Sequence, residues 1–156
     1  MTIRAQVAGV GHYLPERIVP NAEFEKTLDT TDEWIVSRSG IERRHFAAEG
    51  QATSELAAHA AEAALADAGL QASDIDALIV ATSTPDLTFP SAATMVQARL
   101  GMETGFAFDV QAVCAGFVYA LANANALITS GVDIRYMVNI CGVRGKRMRD
   151  DFGRGI

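Results

Sequence analysis

Cys114 is the residue best suited to covalent chemistry here, within Asp109-Val-Gln-Ala-Val-Cys-Ala-Gly-Phe117. A cysteine thiolate attacks carbonyl carbon and can hold an acyl group in activated form. Cys114 follows the apolar run Phe106-Ala-Phe108. It precedes a stretch, Ala115 to Ile128, in which nearly every residue is Ala, Leu, Val, Phe, Tyr, Ile or Gly. The run reads as the end of a buried strand. The stretch is too long for one strand and apolar on all sides, so it reads as a buried helix. Cys114 then lies at the turn into that helix, where unpaired N–H groups and the positive end of the dipole favour thiolate over thiol. Ala115-Gly116 behind it are small enough to let a substrate or another backbone approach the sulfur. A lone cysteine is more often a buried structural residue; the strand–turn–helix placement is what singles this one out.

A second candidate is the pair Trp34 and Arg38, which share a face if their segment is helical. An indole beside a guanidinium offers a flat surface for an aromatic ring and a cation for phosphate. On these two residues alone, Trp34 in the core and Arg38 in a surface ion pair is the simpler arrangement. Arg43-Arg44-His45 is a solvated face or a patch that steers an anion.

The elements that position these residues can be traced along the chain. Ile3 to Val10 alternates loosely and reads as a strand running into Gly11 and Pro15. Asn21 is a candidate cap for a helix from Ala22 to Leu28. Thr30-Thr-Asp-Glu33 is a capping box for a helix from Asp32 to Ser39, ended by Gly40. Ser54 to Ala68 is an alanine-rich helix closed by Gly69. Ala77 to Thr82 reads as a buried strand of a sheet covered on both faces. Ser83 to Pro90 is a loop carrying Phe89, and Ser91 caps a helix ending at Leu100-Gly101. Strand Gly105–Phe108, the Cys114 turn, the apolar helix to Ser130-Gly131 and a strand from Arg135 to Ile140 complete the order. This alternation predicts an α/β fold with a sheet between helix layers.

Composition is that of a globular domain: 156 residues, 49% hydrophobic and 21% charged. Two cysteines, Cys114 and Cys141, form no disulfide framework and fit a reducing cytoplasm. No apolar run is long enough to span a bilayer, and Met1 to Gln6 lacks the pattern of a signal peptide. A net charge of −6 argues against nucleic acid as a partner. The charge is uneven. Residues 1–131 hold seven basic and sixteen acidic side chains, a net −9, whereas residues 132–156 hold six and three, a net +3.

The Cys114 segment resembles that of β-ketoacyl-acyl-carrier-protein synthase III, a condensing enzyme of the thiolase-like superfamily. Gly9-Val-Gly-His-Tyr-Leu-Pro15, Asp29-Thr-Thr-Asp-Glu-Trp-Ile35 with Arg38-Ser-Gly-Ile41, Val80-Ala-Thr82 and Phe89-Pro-Ser-Ala-Ala93 stand in the family's order and spacing. The resemblance covers residues 1 to about 131. It implies a thiolase-like fold, of which this chain would be the first of two similar α/β halves. It also implies a decarboxylative condensation that starts fatty-acid synthesis. Cys114 matches the nucleophile that takes an acyl group from acyl-CoA. Trp34 and Arg38 match positions that hold the adenine end of coenzyme A, with Thr30 in the same wall. Phe89 matches an aromatic that reaches across a homodimer interface toward the neighbour's acyl pocket. The implied partners are acyl-CoA and acyl carrier protein. Coenzyme A enters as a thioester substrate, so no metal or other cofactor is implied.

The same resemblance implies a histidine and an asparagine that lie beyond position 156 in the family. His12, His45 and His59 sit in no matching motif. Residues 132–156 depart from the pattern. With one inserted residue allowed, Arg147, Asp150, Arg154 and Gly155 fall on family positions, and Arg154 then matches an arginine that stacks with Trp34 around adenine. A solvated basic tail is the alternative. The expected organisation is thus an N-terminal half over 1–131 and a divergent, truncated continuation over 132–156, not fully active alone. Two further possibilities are a related ketosynthase with another acyl preference and a non-catalytic half that dimerises with a complete synthase.

Overall fold

The computed structural model describes residues 5–132, 134 and 136–141. In chain order they form β1 (Arg17–Pro20), α1 (Asn21–Glu25), α2 (Asp32–Ser39), β2 (Arg43–Phe46), α3 (Thr53–Ala68), β3 (Ala77–Ala81), α4 (Ala92–Arg99), β4 (Phe106–Val110), α5 (Gly116–Thr129) and β5 (Met137–Cys141). Single 3-10 turns occupy Ala72–Asp74 and Val113–Ala115. The elements fall into two compact units. One holds the segment up to Tyr13 and everything described from Gln51 onward; the other is Leu14–Gly50.

In the first unit the five-residue apolar run becomes β3, the strand with a neighbour on each edge. It pairs in parallel with β4, Ala77 opposite Phe106, and with β5, Ala77 opposite Met137. Parallel neighbours need crossover connections, which α4 and α5 supply. Every residue of β3 is buried, as a strand covered on both faces must be. Leu78 and Val80 point to one face, against Ala57, Ala61 and Leu65 of α3 and Val96 of α4. Ile79 and Ala81 point to the other, against Ala120 and Ala124 of α5. Each large side chain so buried stabilises the fold by about 1.5–3 kcal/mol. The α/β layering therefore follows the sequence expectation, with β4 and β5 displaced by one or two residues from their expected bounds.

Two expectations fail in this unit. No strand lies between Ala5 and Val10, the described part of the expected first strand. That segment lies against α3 instead: the Val10 N–H donates to Asp67 Oδ2 at 2.9 Å. A Cβ at Gly11 would stand 2.2 Å from Ala64 N, and one at Gly9 would stand 2.7 Å from Ala64 O. The two glycines and the alanine-rich helix face let the backbones touch, a preference that outweighs the loose alternation. Gly11→Ala is accordingly expected to cost about 2 kcal/mol, read as a lowered urea midpoint at unchanged slope.

The second failure concerns α5. It is apolar all round, yet only Gly116, Ala120 and Ala124 are buried. Phe117, Val118, Tyr119 and Leu121 are exposed. The small residues form the stripe that meets the sheet, and the large ones face away from it. No helix among the described residues is long and apolar enough to cross a membrane.

The Leu14–Gly50 unit is an antiparallel ribbon with two short helices. β1 pairs with β2, Ile18 opposite His45. The Arg43-Arg44-His45 cluster thus lies on a strand. α2 has the expected bounds and ends at left-handed Gly40. Its cap is Thr31, whose Oγ1 accepts from Trp34 N at 3.1 Å, not Thr30. α1 is shorter than expected, and Asn21 is its first residue rather than its cap.

Candidate functional site

Cys114 sits where the sequence put it, in the 3-10 turn between β4 and α5, and its side chain is exposed. The turn is strained. Val113, immediately before the cysteine, has φ +43°. A β-branched residue in that region costs on the order of 1–3 kcal/mol and persists only where its surroundings enforce it. Gly116 starts α5 so close to β3 that a Cβ there would stand 3.2 Å from Ala81 Cβ. The small residue behind Cys114 therefore brings the helix onto the sheet, rather than clearing room at the sulfur. The Ala115 N–H donates to Ala112 O at 2.9 Å, and the Gly116 N–H to Val113 O. These two amides close the turn and do not face a ligand.

Asp109 of the same motif was given no role from sequence and has a definite one. Its two carboxylate oxygens accept from Ala92 N at 2.9 Å and Ala93 N at 2.7 Å. Ser91 Oγ accepts from Thr94 N at 3.2 Å. A carboxylate and a hydroxyl thus share the free donors at the start of α4. The carboxylate also ties the strand leading to Cys114 to the helix that follows Phe89. Phe89 itself is 87% exposed, on the loop before α4. An aromatic so exposed makes little packing contribution to the chain that carries it.

In the Leu14–Gly50 unit, Arg38 stacks on Trp34, with its guanidinium carbon 4.7 Å from the ring centroid. Trp34 is 55% exposed, so the core placement that looked simpler from sequence does not occur. The pair forms an open aromatic–cation surface on α2. Beside it lies a cavity of about 380 Å³ lined by Phe24, Leu28, Thr30, Trp34, Ile35 and Arg44, among others. Thr30 Oγ1 is buried without a hydrogen-bond partner, a state that costs free energy unless a water or ligand donates to it. Thr30, Trp34 and Arg44 line this one cavity. Arg147, Asp150, Arg154 and Gly155 lie outside the described residues.

The histidines are otherwise engaged or open to solvent. His45 Nδ1 donates to Pro15 O. His59 contacts Glu62 at 3.2 Å and lies 4.8 Å from the Tyr13 ring. His12 is exposed. Among the described residues, no three His, Cys, Asp or Glu are grouped as they would be to hold a metal ion.

Residues 108–151 match the family described as 3-oxoacyl-[acyl-carrier-protein (ACP)] synthase III. The chain is 78% identical over 138 residues to a β-ketoacyl-[acyl-carrier-protein] synthase III of Ruegeria pomeroyi, covering 88% of this chain and 43% of the relative. It is 79% identical, with the same coverage, to one from Cereibacter sphaeroides. The crystal structure of 3-oxoacyl-[acyl-carrier-protein] synthase III from Aquifex aeolicus superposes with a TM-score of 0.85 at 40% identity, over 89% of this chain and 44% of that one. The chain thus spans less than half the length of these relatives.

Proposed function

Since the chain is by sequence and fold part of a β-ketoacyl-[acyl-carrier-protein] synthase III, we propose that it carries the acyl-accepting half of that chemistry. Cys114 Sγ attacks the thioester carbonyl of a short acyl-CoA. The bond from carbonyl carbon to coenzyme A sulfur breaks, and coenzyme A leaves as the thiol with the proton given up by Cys114. The acyl group stays activated as a thioester. In the second half-reaction malonyl-acyl-carrier-protein loses carbon dioxide, its carbanion attacks the acyl carbonyl, and the bond to Cys114 Sγ breaks to release the thiolate, which takes up a proton from water. The histidine and asparagine that the family uses for that step are assigned to no residue of this chain.

What supports the reading most is the exposed Cys114 on a strained strand–helix turn, immediately after Val113 at φ +43°. Trp34 and Arg38 are the stacking surface for adenine, with Thr30 in the adjoining wall. Arg154 keeps the same assignment from sequence. Phe89 is the contact to a second copy, so the assembly is a homodimer. Acyl carrier protein is the protein partner, and the reaction is cytoplasmic. Residues 1–131 form the thiolase-like part, and 132–156 its divergent continuation.

The test is acyl transfer. The purified chain is incubated with acetyl-CoA, and acyl mass is located by peptide mapping. Label on the Cys114 peptide is expected; a folded chain without it overturns the proposal. Trp34→Ala is expected to raise the half-saturating acetyl-CoA concentration about tenfold, a loss of roughly 1.4 kcal/mol of stacking. The rate at saturation should stay within about twofold, because the lost contact is remote from the reacting carbon.

A further inference from the structure

Asn21 is only 1% exposed and has no part in the chemistry above. Its hydrogen bonds nonetheless reach the start of the helix that bears Trp34 and the chain that follows that helix. Nδ2 donates to Asp32 Oδ1 at 2.7 Å and to Ile41 O at 2.8 Å. Oδ1 accepts from Arg44 Nη1, and the Arg44 guanidinium rests 4.7 Å from the Phe24 ring centroid. The Asn21 N–H donates to Glu42 O at 3.2 Å. One residue therefore joins Ile41 and Glu42 ahead of the ribbon's second strand, Arg44 within that strand and the first residue of α2.

These ties matter because α2 has little else to hold it. It is eight residues long and buries none of them. A helix that short is marginal in water, and only Ile35 and Val36, both half-buried, help to fix its rotation. Its start is gripped at Asp32, through the side chain by Asn21 and through the backbone N–H by Glu25 Oε1 at 2.6 Å. Rigid helix geometry carries that grip to Trp34 in the first turn and Arg38 in the last.

We propose that Asn21 is a positioning residue for the Trp34–Arg38 surface, locking the first turn of α2 through Asp32 and so setting how the adenine end of coenzyme A stacks. The ligand rests on the role given to Trp34 and Arg38 above; the orientation of Trp34 does not. Asn21→Asp is nearly isosteric, so it leaves packing in place. It removes both side-chain donors and sets two carboxylates against each other. Asn21→Asp with Asp32→Asn reverses the polarity of that contact and restores a donor–acceptor pair.

Trp34 is the chain's only tryptophan, so its fluorescence reports α2 alone. In the ligand-free chain, acrylamide quenching of Trp34 is expected to change in the single variant and return toward wild type in the double variant. Coenzyme A, titrated by its quenching of Trp34, should bind the single variant about tenfold more weakly and the double variant within about threefold of wild type. Wild-type quenching and coenzyme A affinity in Asn21→Asp would overturn the proposal. So would a double variant that regains the wild-type circular dichroism but not the Trp34 signal. If coenzyme A fails to quench the wild-type chain, the ligand assignment falls, while the acrylamide series still decides whether Asn21 sets Trp34.

Discussion

With Cys114 replaced by alanine, acyl transfer from acetyl-CoA to the chain is expected to fall at least about a thousandfold, to background. The substitution removes the only atom that forms the new bond. It takes one sulfur from an exposed side chain, so the fold should be untouched, and circular dichroism should superpose on that of wild type. The measurement is the time course of acyl mass on the intact protein, followed by peptide mapping. Cys141 supplies the internal control, since it is the other thiol in the sequence. Acyl label persisting in Cys114→Ala, on Cys141 or elsewhere, would remove Cys114 from the mechanism.

The largest effect on stability is expected at Asp109. Asp109→Ala leaves the Ala92 and Ala93 N–H groups without the carboxylate that accepts both. Hydrogen bonds to a charged acceptor are worth about 1.5–3 kcal/mol each, and the two are not additive. A loss of about 2–3 kcal/mol is expected from urea unfolding. Asp109→Asn keeps one acceptor oxygen and should lose about half as much. A change below roughly 0.5 kcal/mol for the alanine variant would mean that Ser91 alone suffices to cap α4. Because β4 runs on to the Cys114 turn, acyl transfer should also slow in Asp109→Ala, and recover in part in Asp109→Asn.

The features legible in the sequence are those with local signals. α2 and α3 end at Gly40 and Gly69, whose left-handed conformation is written in the residue type. Ser91 caps α4 as its type suggests. The apolar Ala77–Ala81 could only be a strand buried on both faces. What escaped depends on contacts distant in sequence. Gly9 and Gly11 looked like the end of a strand, but their partner is a helix some fifty residues on. Asp109 looked like a motif letter, because the helix it caps begins seventeen residues earlier. Asn21 looked like a cap because a lone asparagine before a helix usually is one; its true partners include Asp32, Ile41 and Arg44. Thr30 and Thr31 are indistinguishable as caps until the helix start is fixed. For α5, composition cannot show which side of an all-apolar helix meets the sheet.

The strand order carries a cost during synthesis. β3 lies between β4 and β5, and both emerge from the ribosome after it. Its second edge is closed only when Met137–Cys141 appears, more than fifty residues later. At roughly 5–20 residues per second, that leaves one edge of the Ala-Leu-Ile-Val-Ala segment open for about 3–11 seconds. A short apolar β-former without charge or proline is the kind of segment that pairs with other chains. The nascent chain should therefore depend on chaperone cover over this interval, and the yield of soluble protein should rise when translation is fast relative to aggregation.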